Sequence, residues 1–375
     1  MSALWIPLAA IAALAFIPPG ATLLTGYALR WYAVVIVLLA VIGRTHRWAA
    51  ISAATLGGAG GIAVSTRAGY LLVANDNLMY STLIAGGLVV AALGALQLVR
   101  VLRAEGARDP VVIAAFQLGT GLFANWAYFA PALFKLDPRN YHTINWASPF
   151  VAELPLLALG LAAVGLGVTR RLKPALDRLG VSRPAWWQPF LAVLVGSLFL
   201  MLVPTTNHLT FLLTPRLYYA VGAIEYLTDH GASLRVELVY AVMAGICEEA
   251  LFRGALQPRT GIVVAAALFA LIHTQYFVTP ILGMVFMIGL ALGLLRRHLN
   301  TTTAMIAHGT YDILGNFRLG TGGLAILALL MVAVLAVPAV MHRRAIWRSF
   351  HETFADDWSG FWRRGARLPT PAATH

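Results

Sequence analysis

Charge is what this 375-residue chain has least of: 11% of its residues are Asp, Glu, Lys or Arg, against roughly 25% in a soluble domain. That shortage excludes an ordinary soluble protein and a disordered chain, both of which need polar surface. Cysteine is almost absent. The one thiol, Cys247, excludes an internal disulfide and any zinc site built from several thiolates. It sits in an apolar run and reads as a small packed residue. The chain has no His-Glu-x-x-His, the familiar helical zinc-protease arrangement, and no fixed-period repeat or clear duplication of its halves, which disfavours a repeat-built transporter. It also has no long basic run. Its net charge of +12 is spread in short clusters between apolar stretches, so the charge does not point to nucleic acid.

What is present in excess is apolar: 59% hydrophobic residues and a mean hydropathy of +0.77. A spanning helix needs about 20 mostly apolar residues. About twelve such segments can be marked on that length criterion, near 3–24, 27–43, 49–74, 78–99, 110–134, 148–169, 185–206, 234–256, 260–277, 278–295, 300–317 and 321–341. The expected fold is an all-α polytopic membrane protein, a bundle of about twelve transmembrane helices. The third segment is Gly-rich and broken by Arg67. The stretch 207–233 carries Pro215, Arg216, Glu225 and Asp229 among aromatics and reads as a loop with an interfacial helix. The first segment has no basic residue before its apolar run and is broken by Pro18-Pro19, so it reads as a retained span and not a signal peptide.

Loop charges orient the segments. Arg44 and Arg47, then Arg100, Arg103 and Arg108, then Arg170, Arg171, Lys173, Arg178 and Arg183, then Arg296 and Arg297, then Arg343, Arg344 and Arg348 all follow even-numbered segments. The positive-inside rule places both termini in the cytoplasm of a multi-pass protein of a bacterial inner or plasma membrane. Three regions are expected: an N-terminal helical region at 1–183, a core at 184–341, and a tail at 342–375. In the tail Arg363, Arg364 and Arg367 lie among Trp347, Trp358, Phe361 and Trp362, which suits the inner leaflet surface.

Charge inside a span costs at least ~2.5–3.5 kcal/mol near the centre and marks function by default. The embedded carboxylates are Glu153, Glu237, Glu248, Glu249 and Asp312, and the associated bases are Arg253, His273 and His308. Most fall within 237–312. In Cys247-Glu-Glu-Ala-Leu-Phe-Arg253, Glu249 and Arg253 stand four apart and can pair on one face. Glu248 points about 100° away and faces another helix. A desolvated carboxylate there suits general-base work on water. Phe269 precedes His273 by four residues on one helix face. His308 and Asp312 have the same spacing, so the carboxylate can set the imidazole tautomer, join a metal, or accept from a reacting group. Gly309 permits close helix approach. At 1.5 Å per residue Glu248 and His308 reach about the same depth, and His273 lies roughly 6–8 Å deeper. The three sets are expected to meet in one polar cavity open to the cytoplasm.

Glu-Glu-x-x-x-Arg at 248–253, Phe-x-x-x-His at 269–273 and His-x-x-x-Asp at 308–312 together resemble the three ordered motifs of the CAAX prenyl endopeptidase and bacteriocin-processing family of intramembrane proteases. The resemblance covers about 234–318 and puts a protease-like core in the C-terminal half. Asp312 stands where the family often has asparagine; aspartate fits the family pattern but changes the charge of the site. The resemblance implies hydrolysis of a peptide bond in a membrane-embedded or lipid-anchored protein or peptide, at or within the lipid bilayer. It implies that Glu248 activates water, that Glu249 with Arg253 and Phe269 gives support, that His273 and His308 bind or polarise the water and the oxyanion, and that Asp312 assists.

Two catalytic schemes stay open. Zn2+ or another divalent metal held by His273, His308 and Glu248 is one; a metal-independent glutamate base with imidazole-stabilised oxyanion is the other. Two other functions compete with the protease. A proton-coupled carrier would need buried carboxylates too, and a non-catalytic immunity factor would retain the same motif residues.

Overall fold

The computed structural model describes residues 22–75 and 146–316 apart from Ala232, and scattered positions between 323 and 344. All but the last three residues of the expected span at 3–24, the spans at 78–99 and 110–134, more than half of 321–341, and the aromatic residues of the tail lie outside the described residues.

Among the described residues the structure is all-helical, with no β-strand. The helices are α1 (Thr22–Ile42), α2 (Arg47–Asn75), α3 (Ser148–Ala163), α4 (Leu172–Leu179), α5 (Gln188–Leu200), α6 (Val203–Leu213), α7 (Pro215–Gly231), α8 (Leu234–Glu249), α9 (Ile262–Ile272), α10 (Pro280–His298) and α11 (Thr301–Asn316). After α8 the chain does not stop. It winds through a π-helical stretch, Ala250–Leu256, and a final turn, Gln257–Thr260.

Two runs, Gln188–Leu213 and Pro280–His298, are long and apolar enough to cross a membrane; Trp31–Ile42, Ser148–Ala163 and Ile262–Ile272 are apolar but shorter. Within 207–233 a helix is present as expected, α7 over Pro215–Gly231, but residues 207–213 are helical and not loop. The apolar run begun at Gln188 continues through α6 to Leu213, with Pro204 in the first turn of α6, where its missing N–H costs no helical bond. Phe190, Leu198, Leu202, Leu209 and Leu212 all point outward from this run, as lipid-facing side chains do. The segment expected over 148–169 ends early, at Ala163. Gly165 and Gly167 adopt φ of 81° and 77°, which L side chains rarely adopt, and Arg170 Nη1 folds back to donate to the Val164 carbonyl at 2.6 Å.

Glycines set the spacing of the inner helices. A Cβ on Gly245 of α8 would meet the Gly309 nitrogen and the Met305 carbonyl of α11, both at 2.9 Å. One on Gly196 of α5 would clash with the Ala307 carbonyl of α11. Gly160 of α3 also lies close against Leu251, where a Cβ would meet the backbone at 3.2 Å. α11 is thus pressed between α5 and α8, and α3 closes the other side of the π-helical stretch, as small residues allow in membrane bundles. The core around it holds Leu156, Leu159, Leu251, Phe252, Phe269 and Leu292.

A buried polar knot fixes one end of the bundle. Asn300 Nδ2 donates to Gln188 Oε1 at 2.9 Å, and Asn300 Oδ1 caps α11 by accepting from the Thr303 N–H at 2.8 Å. The Thr301 hydroxyl donates to the Leu179 carbonyl at 2.5 Å and its N–H to the Gly180 carbonyl at 3.0 Å. These bonds lock the rotation and height of α11 relative to α4 and α5, and so set where its two functional side chains point.

Candidate active site

The site is built on the end of α8, the end of α9 and the middle of α11. All seven residues of Ala250–Leu256 are buried. Its wider i→i+5 winding is the kind of helical irregularity found at functional sites. Here it carries Arg253, which is fully buried and pairs through Nε with Glu249 Oε2 at 3.0 Å. Its guanidinium lies 4.6 Å from the Phe269 ring centroid and 6.0 Å from that of Phe252, close enough for cation–π attraction. The pairing anticipated from the four-residue spacing is present, with a wall of aromatic faces that the spacing did not reveal.

Glu249 has a second partner. Its Oε1 lies 3.1 Å from His308 Nδ1 on α11. The other ring nitrogen, His308 Nε2, lies 3.4 Å from Asp312 Oδ2. A chain of four ionisable groups therefore runs Arg253, Glu249, His308, Asp312. Nδ1–H donates to Glu249, while Nε2 stands near Asp312 without a hydrogen bond, so the imidazole lies between two carboxylates. Asp312 is the outermost of the four, its side chain 26% exposed against 6% for His308 and 0% for Glu249 and Arg253. The chain thus grades from dry interior to a partly open end.

His273 is not on a helix as expected; it is the residue at which α9 stops, with φ −83° and ψ 57°. A short 3₁₀ turn, Thr274–Tyr276, follows. His273 Nδ1 sits 2.8 Å from the Phe269 carbonyl, one of the last carbonyls of α9 left without a helical N–H. Donation from Nδ1–H leaves Nε2 with its lone pair. Phe269 also bridges the histidines: its ring is 5.0 Å from His273 and 5.5 Å, edge-on, from His308. Glu248 is buried beside Glu249 and acts electrostatically on Arg253, His308 and Asp312. Asp312 in turn feels Glu248, Glu249, His273 and His308. The structure therefore gathers all five candidates singled out from the sequence, Glu248, Glu249, His273, His308 and Asp312, with Arg253 and Phe269 as the floor. It also adds two neighbours the sequence did not mark: Tyr276, stacked on His273 with rings 5° from parallel, and Tyr311.

The zinc ligand set does not fit this arrangement. His308 has a carboxylate close to each ring nitrogen, 3.1 Å at Nδ1 and 3.4 Å at Nε2, which a metal would have to displace. Among the described residues, no group of three His, Cys, Asp or Glu side chains is placed to hold one.

A helical membrane bundle that collects carboxylates and imidazoles around one half-open point has the make-up of a membrane-embedded hydrolase. Residues 231–314 match the family model described as Rce1-like, type II CAAX prenyl endopeptidase. This stretch, under a quarter of the chain, is therefore similar to a type II CAAX prenyl endopeptidase, in keeping with the three motifs, and the match together with the apolar helices fits an integral membrane protein. No curated protein and no solved structure gave a match.

Proposed function

We propose that the protein is an intramembrane endopeptidase in which Glu248 deprotonates a water that attacks the scissile carbonyl of a membrane-embedded or lipid-anchored substrate. The observation that carries this reading is the commitment of Glu249. With Arg253 on one oxygen and His308 on the other, Glu249 is a fixed anionic bracket, and the water-activating role falls to its neighbour Glu248. His273, with Nδ1 spent on the Phe269 carbonyl, accepts a water hydrogen at Nε2 and aims an oxygen lone pair at the substrate. The water proton passes to Glu248, and a C–O bond forms to give a tetrahedral oxyanion. Glu248 then returns the proton to the departing amine as the C–N bond breaks. The positive charge on His308, held between Glu249 and Asp312, faces the developing negative charge in a site of low dielectric. Substrate reaches the site at the partly exposed Asp312 end of the chain of ionisable groups.

The test is cleavage of a farnesylated CAAX-type peptide by the full chain in liposomes. Glu248→Ala is expected to cut activity roughly 10³-fold, the scale of a lost general base, with unchanged thermal unfolding. Full activity in Glu248→Ala refutes the assignment.

A further inference from the structure

Arg296, in the last turn of α10, is half-buried. Its guanidinium presses onto the bare backbone of Gly180, the residue that caps α4, where any Cβ would overlap Cζ and Nη2 of the arginine. Its Nε is buried, and no described residue accepts a hydrogen bond from it. No carboxylate of the described residues bears on its charge. A guanidinium held away from both water and carboxylates is costly, and an anion beside it would relieve that cost.

We propose that the corner between Gly180 and Arg296 binds the phosphate headgroup of an anionic phospholipid. The planar fork of a guanidinium matches phosphate oxygens, and the surroundings are those of a lipid headgroup and not of a soluble anion. The corner lies where membrane-crossing runs end: Gln188–Leu213 starts and Pro280–His298 finishes at one end of the bundle, since Asn300 Nδ2 donates to Gln188 Oε1 at 2.9 Å. The charge there has one sign. Arg170, Arg171, Lys173, Arg178 and Arg183 precede Gln188 with one carboxylate among them, Asp177, and Lys173 holds that at 2.9 Å. Arg183 is exposed and follows Gly180 by three residues. Apolar anchors stand among these cations, with Leu172 60% and Trp186 67% exposed. Tryptophan and leucine beside arginine are the side chains of a membrane–water boundary, where anionic headgroups lie.

The corner is braced against the elements that carry the candidate active site. The Gly180 carbonyl accepts from the Thr301 N–H at 3.0 Å, and the Ser182 carbonyl from the Thr302 hydroxyl at 2.8 Å, both at the start of α11. On the other side Leu179 packs on Gly254, where a Cβ would meet Leu179 Cδ2 at 2.9 Å. Gly254 adjoins Arg253 in the π-helical stretch, and α11 carries His308. A headgroup at the corner therefore ties α4, α10 and α11 together, and binding to the folded chain stabilises it by mass action.

The site stands apart from the peptidase chemistry, so its test needs no substrate. The full chain in detergent is given equal amounts of phosphatidylglycerol and phosphatidylcholine, and retained lipid is counted by native mass spectrometry. Wild type is expected to favour phosphatidylglycerol by about fivefold or more, the scale of one cation at an anionic headgroup. Arg296→Gln should retain the two lipids about equally. Arg183→Gln, at an exposed side chain whose loss leaves packing intact, should fall between. Arg235→Gln removes an exposed cation at the start of α8, about 28 Å of helix from Gly254, and should match wild type. Phosphatidylglycerol should raise the unfolding temperature of wild type and leave that of Arg296→Gln unmoved, a difference that a merely structural arginine would not produce. Equal retention by wild type, or a preference that either Arg296→Gln or Arg183→Gln keeps in full, overturns the site. So does a preference erased by inorganic phosphate but not by sodium chloride of the same ionic strength, which would show a site for a free anion.

Discussion

Replacing Arg253 by Met tests whether the innermost ion pair is structural. The guanidinium is 0% exposed, lies 3.0 Å from Glu249 and rests on the faces of Phe269 and Phe252. Met has a similar length and no charge, so Arg253→Met leaves Glu249 buried against His308. Breaking a buried pair by removing one member costs about 3–5 kcal/mol. At about 2 °C per kcal/mol, the low end for larger chains, the unfolding temperature should fall roughly 6–10 °C. The protein supplies its own probe. Its single cysteine, Cys247, is fully buried next to Glu248, so a thiol-reactive fluorophore reports opening of α8 on heating. The double variant Glu249→Met with Arg253→Met removes both charges, and buried pairs replaced together by apolar side chains are often neutral or better. It should recover most of the lost stability, yet cleave poorly because His308 loses its bracket. An Arg253→Met protein that melts with the wild type, or a double variant worse than the single, would refute the buried-pair reasoning.

Two further outcomes are expected. Gly245→Val should push α8 from α11, because its branched side chain starts where the Gly309 nitrogen and Met305 carbonyl stand at 2.9 Å; overpacking of this kind costs about 1–3 kcal/mol. Cleavage should fall further than stability, since the same separation stretches the Glu249–His308 contact; a variant with native kcat would count against that coupling. Peptide cleavage should persist in excess 1,10-phenanthroline, because the described residues bring no three metal-ligating side chains together, and loss of activity restored by added zinc would reverse that conclusion.

Contacts written within one helix were legible from the sequence. Glu249 with Arg253 and His308 with Asp312 meet as their four-residue spacing demands, because a helix fixes that geometry whatever surrounds it. The all-helical class followed from composition alone. Features set by distant packing could not be read. Nothing in the local pattern around 250–256 announces a π-helix, which depends on the packing of Gly160 against Leu251 and of Leu179 against Gly254. Glu249's second bond, to His308, crosses between helices whose relative height is set by the Gln188–Asn300–Thr303 knot. His273 was misplaced on a helix because no proline or glycine stands between Ile272 and Pro280 to mark the end. The helix expected within 207–233 is present, but its stretch begins later than expected: the polar residues lie beyond Leu213, and the apolar stretch before them is long enough to stay helical.

The order in which the partners of Glu249 emerge during synthesis has a consequence for biogenesis. Arg253 follows it by four residues on a continuous helical stretch, while His308 arrives 59 residues later. At roughly 5–20 residues per second, that is a delay of roughly 3–12 s during which the carboxylate must already enter lipid. The arginine neutralises it from the outset, so this segment can be inserted before the helix that completes the site has left the ribosome.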